Sequence, residues 1–168
     1  MLDNVFGLPA HPLLVHATVV VVPTAAIAVL LAAVWSPFRR WAGILPLALA
    51  VTGLILDPLS TSTGESLEHR LPHSSLIERH AHLADGLLPW MLALTATAGA
   101  LYVWGRAQRD RASWTRRESL RRWVPLAVSV AAVVAAAGTS VEVVLIGHSG
   151  AEAAWSHVAD QPSGAHVR

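Results

Sequence analysis

Four long apolar runs alternate with shorter polar segments along the chain. The runs cover residues 12–35, 41–59, 86–104 and 123–147, and the first contains no charged residue. An α-helix rises about 1.5 Å per residue, so about 20 apolar residues cross the roughly 30 Å hydrocarbon core of a bilayer. The pattern therefore predicts an all-α integral membrane four-helix bundle, built as a single domain over residues 1–160. The tail, residues 161–168, is expected to be disordered.

Arginine positions predict how the bundle is oriented. Two arginines lie in the segment 36–40 and seven in the segment 105–122. Excess arginine in short loops stays in the cytoplasm, so these two loops should face inward. Both termini and the loop 60–85 then lie on the outer side of the cell membrane. Four tryptophans near the predicted inner helix ends, where indoles favour the headgroup level, agree with this orientation: Trp35, Trp41, Trp104 and Trp123.

The outer loop between spans two and three contains two helix-start signals. Ser62 and Ser75 are each followed three residues later by Glu, which is the spacing of a capping box. This spacing predicts a short surface helix over residues 63–71 and a second helix that begins at Leu76 and continues into span three. The loop should therefore be partly helical. No internal repeat is apparent in the sequence.

Composition narrows the chemistry further. The chain has 168 residues, 54% of them hydrophobic, a formal net charge of +1 and no cysteine. Disulfides, thiolate metal sites and cysteine nucleophiles are therefore excluded. No sequence signature of a hydrolase or a transferase is present, so we expect an enzyme only if a redox cofactor is bound. Nothing in the charge pattern indicates nucleic-acid binding.

The polar residues that could carry chemistry gather near the predicted outer helix ends. All nine histidines lie on the outer side of the predicted topology. Ionisable residues in a membrane are costly unless they pair or face a cavity, so they indicate a functional site. The candidate cofactor-binding residues are His11, His16, His80 and His148, and the candidate polar network around them comprises Asp57, Glu65, His82, Asp85 and Glu142.

Three functions are compatible with this layer of side chains. In the first, His16 and His80 hold a haem b or a transition metal near the outer face for electron transfer. In the second, the polar helix ends are structural, and the protein is a scaffold that binds another membrane protein or a second copy of itself. In the third, the histidines sense external pH. Whether His80 or His82 is the functional histidine is left open.

Three motifs give the chain a family resemblance: HPLLVH from His11 to His16, TGESLE from Thr63 to Glu68, and GHSGAE from Gly147 to Glu152. With four apolar spans between them, these motifs resemble the bacterial membrane-protein family catalogued as domain of unknown function 2231. The resemblance implies a four-helix membrane fold and no particular activity. Its recurrent polar positions correspond here to His11, His16, Glu65, His80 and His148. The family has one histidine shortly before the third span, whereas this chain has both His80 and His82.

Overall fold

The computed structural model describes residues 4–5, 8–110 and 123–159, and helices dominate them. The expected tail, 161–168, lies outside the described residues. Two short strands, β1 (Asn4–Val5) and β2 (Leu8–Pro9), pair antiparallel just before the first helix. The helices are α1 (Ala10–Val34), α2 (Ser36–Ala42), α3 (Leu45–Glu68), α4 (Ser75–Asp85), α5 (Leu87–Asp110) and α6 (Trp123–Ala159).

Four helical segments are long and apolar enough to cross a membrane: Ala10–Val34, Leu45–Glu68, Ser75–Gln108 and Trp123–Ser156. The predicted all-α bundle with four spans is therefore confirmed. In the bundle, α1 packs against α3 and α6, and α5 packs against the same two helices. Successive spans run in opposite directions.

We call one end of the bundle the histidine end, formed by the start of α1, the ends of α3 and α6, and α4. The opposite end, formed by α2, the end of α5 and the start of α6, is the arginine end.

Several local predictions differ from the structure. The segment 36–40 lies in the helix α2, and Gly43, with φ of 57°, allows the turn that follows it. Residues 63–68 extend α3 and form no separate surface helix. The reason is that Thr63 is buried in the bundle and keeps α3 packed beyond the membrane core. Ser62 lies inside α3, where its hydroxyl donates to the Leu59 carbonyl and caps no helix.

The boundaries of the later helices also differ from those predicted. The helix α4 begins at Ser75, one residue before the predicted start, and leads into span three through the single residue Gly86, whose backbone stays in the right-handed helical region. The helix α6 extends well beyond Gly147 and ends at Ala159. Just beyond the apolar run, Ser149 contacts His80 and Glu152 pairs with Arg79, so this part of α6 packs against α4. This contact explains why the helix continues past the apolar pattern that predicted its end.

The bundle contains an internal repeat in which α1 and α3 form the first hairpin and α5 and α6 form the second. Buried residues of α1 recur 69 positions later in α5, and buried residues of α3 recur 86 positions later in α6. The first set pairs Val22 with Met91, Ala25 with Leu94, Val29 with Ala98, and Ala32 with Leu101. The second set pairs Pro46 with Ala132, Ala50 with Ala136, Gly53 with Thr139, and Thr63 with Ser149.

The helix contacts have the same twofold form. The first helix of one hairpin packs against the second helix of the other in both cases: α1 packs against α6, and α5 packs against α3. Both hairpins begin at the histidine end, which is the arrangement of parallel repeats about an axis along the membrane normal. The repeat is hidden in the sequence because the residue identities differ: the small Ala25 has the larger Leu94 as its counterpart. Only the pattern of burial reveals it.

Candidate paired-histidine site

His11, the second residue of α1, is held by the end of α3. Its Nδ1 lies 3.0 Å from the carbonyl oxygen of Ser60 and 3.4 Å from the Thr63 hydroxyl. The ring also packs on Gly64, where a Cβ atom would come 3.0 Å from the imidazole Cε1. A carbonyl oxygen only accepts hydrogen bonds, so Nδ1 carries the hydrogen in the neutral ring. The lone pair then lies on Nε2.

His80, in the middle of α4, is held by the end of α6 in the same way. Its Nδ1 lies 3.0 Å from the Ser149 hydroxyl, and the ring also interacts with the Ile146 carbonyl. The Ser149 hydroxyl donates to that carbonyl at 2.9 Å, so the hydroxyl lone pairs accept from Nδ1 of His80. A Cβ atom at Gly150 would come 3.1 Å from the imidazole Cε1. His80 therefore also keeps its lone pair on Nε2.

The two histidines occupy equivalent positions in the internal repeat. His80 follows His11 by 69 residues, the same spacing that relates the buried residues of α1 to those of α5. The residues that hold them are 86 positions apart: Ser60 and Ile146, Thr63 and Ser149, Gly64 and Gly150. His11 and His80 are close enough for their charges to interact. The fold thus places two imidazoles at the same end of the bundle, and in the described part of the chain no hydrogen bond to either Nε2 atom is present.

Three of the predicted network carboxylates lie near the junction of α4 and α5. Asp57 is buried, with 5% of its surface exposed, and its charge interacts with that of Asp85 at the end of α4. Glu142 is half-buried and lies against Gly86, where a Cβ atom would come 2.6 Å from its Oε1. The structure therefore places Asp57, Asp85 and Glu142 around the junction of α4 and α5. A cation bound beside them would be favoured electrostatically.

The other predicted site residues lie on the outside of the bundle. His16 is exposed, and its Nδ1 bonds to the Pro12 carbonyl of its own helix. His148 is exposed, and its Nε2 lies 3.2 Å from a carboxylate oxygen of Glu152 one turn further along α6. Glu65 and His82 are also exposed. The structure places His80 within range of the charge of His11, whereas His16 lies on the outside of the bundle.

Sequence reasoning named both histidines and missed the groups that hold them. Ser149, Thr63, Gly64 and Gly150 were part of the quoted motifs, but no role was assigned to them. The sequence contained a signal for these groups. A hydroxyl residue followed by glycine occurs at the end of span two and again at the end of span four, and a histidine lies near the start of the span before each.

In the described ranges, no group of three or more His, Asp or Glu side chains is arranged to hold a metal ion. A complete all-protein metal cage is therefore not formed by these residues.

Comparison with known proteins identifies one family. The family described as "Predicted membrane protein (DUF2231)" has a sequence model that matches residues 7–161, which is nearly the whole chain. The match spans all four membrane helices and both histidine-holding segments. No curated protein and no solved structure matches the chain.

Proposed function

Because the chain belongs to the DUF2231 family of predicted membrane proteins, whose description states no activity, we propose a function from the site itself. We propose that the protein is a membrane metalloprotein in which Nε2 atoms of His11 and His80 bind one metal centre at the histidine end. The favoured centre is the iron of a haem b. Its role would be one-electron transfer at that face of the membrane.

The observation that supports this proposal is the matched anchoring of the two rings. In metalloproteins, a histidine ligand usually donates its other ring N–H to a carbonyl or a similar acceptor, which fixes the tautomer and the direction of the lone pair. His11 donates to the Ser60 carbonyl, and His80 donates to the Ser149 hydroxyl. Both rings are therefore held in the state that a metal requires, before any metal binds.

The number of ligands favours haem over a bare ion. Structural zinc sites take four protein ligands and catalytic zinc sites take three, whereas the porphyrin of haem supplies four nitrogens and needs only axial ligands from the protein. Two histidines from neighbouring helices of a bundle would supply such ligands. Asp57 and Asp85, at the same end of the bundle, would add negative charge to the surroundings of the iron.

The test is to purify the protein in mild detergent from cells supplied with iron and a haem precursor. We expect a Soret band that shifts when dithionite is added, with iron equimolar to the chain by elemental analysis. His11→Ala and His80→Ala should each abolish the band and the bound iron. If copper or zinc is bound instead, and each variant loses it, the metal site at His11 and His80 is supported and its assignment to haem is wrong.

Two control variants sharpen this test. His16→Ala removes the exposed histidine of the same helix as His11, and His82→Ala removes the exposed neighbour of His80. Both should keep the spectrum and the iron. A loss of iron in His16→Ala with retention in His11→Ala would instead support the pair His16 and His80. Wild-type protein without any metal would overturn the proposal.

The close packing of the rings supports a second candidate. Each ring packs on a glycine of another helix. In this second candidate, His11 and His80 have a purely structural role and hold the helices of each hairpin together in a scaffold protein. This reading predicts a colourless, metal-free protein that copurifies with a membrane partner or a second copy of itself. Asn at positions 11 and 80 would then preserve folding, because its amide can also donate a hydrogen bond.

A further inference from the structure

A cleft at the arginine end of the bundle has features that the paired-histidine site does not explain. It has a volume of about 210 Å³ and lies between α2 and the end of α5. The residues that line it are Ser36, Arg39, Arg40, Gly105 and Gln108. The residues around this one small space thus carry two guanidinium groups, a hydroxyl and a carboxamide. These are groups that bind phosphate oxygens.

Arg39 is held in place by the rest of the fold. Its Nη1 donates to the Ala32 carbonyl at 2.7 Å, near the end of α1. Its aliphatic stem packs on Gly105, where a Cβ atom would meet the Arg39 Cδ at 3.9 Å. One end of the guanidinium is thus used by the backbone, and the position of the remaining N–H groups is fixed. A prepositioned arginine loses less conformational entropy when it binds an anion.

The two arginines place like charges side by side. Burial, and then the neighbouring charge of Arg40, lowers the pKa of Arg39. Among the side chains that the structure describes, no Asp or Glu forms an ion pair with either arginine. An anion in the cleft would relieve this repulsion directly, because it would interact favourably with both guanidinium groups.

The aromatic face of α2 indicates where the anion comes from. Trp35, Phe38 and Trp41 form a row in which the rings of Trp35 and Phe38 lie 6.2 Å apart and those of Phe38 and Trp41 lie 5.8 Å apart. Trp35 and Trp41 are 54% and 78% exposed. Exposed tryptophans at the end of a spanning helix lie at the level of the lipid headgroups. The cleft therefore opens at the depth of lipid phosphates.

We infer that this cleft binds the phosphate of an anionic phospholipid headgroup through Arg39 and Arg40. Ser36 and Gln108 contribute hydrogen bonds to the remaining headgroup oxygens. Basic pockets between spanning helices at the cytoplasmic face are known to bind anionic headgroups. The site is independent of any metal at the opposite end of the bundle.

The experiment measures lipid binding to the purified full-length chain by native mass spectrometry and by thermal unfolding in detergent. The probes are phosphatidylglycerol, phosphatidylcholine and inorganic phosphate. We expect phosphatidylglycerol to remain bound after delipidation and to raise the unfolding temperature, whereas phosphatidylcholine and inorganic phosphate do not. Stabilisation by inorganic phosphate with the same arginine dependence would overturn the assignment to a lipid.

Three variants test the role of the cleft. Arg40→Gln changes an exposed side chain, so it should fold normally and bind phosphatidylglycerol about fivefold more weakly. Arg39→Lys keeps a positive charge but loses the planar fork, so it should also weaken binding. Arg106→Gln is the matched control, because Arg106 is an exposed arginine of the same end that does not line the cleft. Equal weakening by Arg106→Gln, or unchanged binding in Arg40→Gln, would overturn the proposal.

Discussion

The imidazole of His80 packs so closely on Gly150 that a Cβ atom at this position would come 3.1 Å from its Cε1. The corresponding distance between Gly64 and His11 is 3.0 Å. Both distances are shorter than the carbon–carbon separation of about 3.5 to 4.0 Å that is optimal for dispersion. Glycine is therefore favoured at both positions, because a Cβ atom would require the ring to shift by a few tenths of an ångström away from the helix backbone.

Gly150→Ala should destabilise the protein because the new methyl group pushes His80 away from α6. Gly147→Ala is the matched control, since Gly147 lies in the same helix and a Cβ atom there has no neighbour within 4 Å. Alanine favours a helix over glycine by up to about 1 kcal/mol, so Gly147→Ala should raise the free energy of unfolding slightly. Gly150→Ala should lower it by about 1 kcal/mol through overpacking. Unfolding by SDS in mixed micelles measures both values, and equal stabilisation by the two variants would contradict the tight packing.

Ser149→Ala should remove the group that orients His80. Ser149 is 3% exposed, and its hydroxyl links the His80 Nδ1 to the Ile146 carbonyl. We expect the free energy of unfolding to fall by about 1 kcal/mol, the usual net contribution of such a hydrogen bond. A double-mutant cycle with His80→Ala should give a coupling energy of similar size. Ser140→Ala is the control, because the Ser140 hydroxyl bonds only within its own helix. A coupling energy near zero would show that Ser149 does not hold His80.

Much of the fold could be predicted from hydropathy because the four spans are long and nearly free of charge. The ends of the helices could not, since they depend on contacts between distant segments. The helix α6 continues past Gly147 because Ser149 contacts His80 of α4 and Glu152 pairs with Arg79 of α4 at 3.5 Å. The capping-box pattern at Ser62 predicted a separate helix that is not formed, and the cause is again a contact between distant segments. Burial of Thr63 extends α3 through a position where the local sequence favoured a new helix.

The candidate site could be predicted only in part, because a spacing rule does not show which side of a helix faces the bundle. Both His11 and His16 lie in the first turns of α1, yet the first contacts α3 and the second is exposed. His80 and His82 differ in the same way. The repeat separates them only once the pattern of burial is known, because His11 and His80 share the spacing of 69 residues that relates the buried positions of α1 and α5.

Gly138→Ala should be strongly destabilising because of the tryptophan that covers this glycine. A Cβ atom at Gly138 would overlap with the six-membered ring of Trp90, which is too rigid to bend away. We expect a loss of about 3 kcal/mol in the free energy of unfolding. Gly99→Ala is the matched control, since a Cβ atom there meets only Leu47 at an ordinary 3.9 Å. Trp90→Leu should suppress the defect of Gly138→Ala, and a Gly138→Ala variant as stable as Gly99→Ala would contradict the contact.

The predicted N-out, C-out orientation can be measured directly because the chain contains no cysteine. His73→Cys places a thiol at an exposed position between α3 and α4, at the histidine end, and Arg106→Cys places one at an exposed position of the arginine end. If the arginine-rich segments stay in the cytoplasm, a membrane-impermeant maleimide added to intact cells should label the thiol at position 73. The thiol at position 106 should react only after the cells are permeabilised. The reverse labelling pattern would invert the topology and place the paired histidines on the cytoplasmic side, where a metal centre would exchange electrons with cytoplasmic partners.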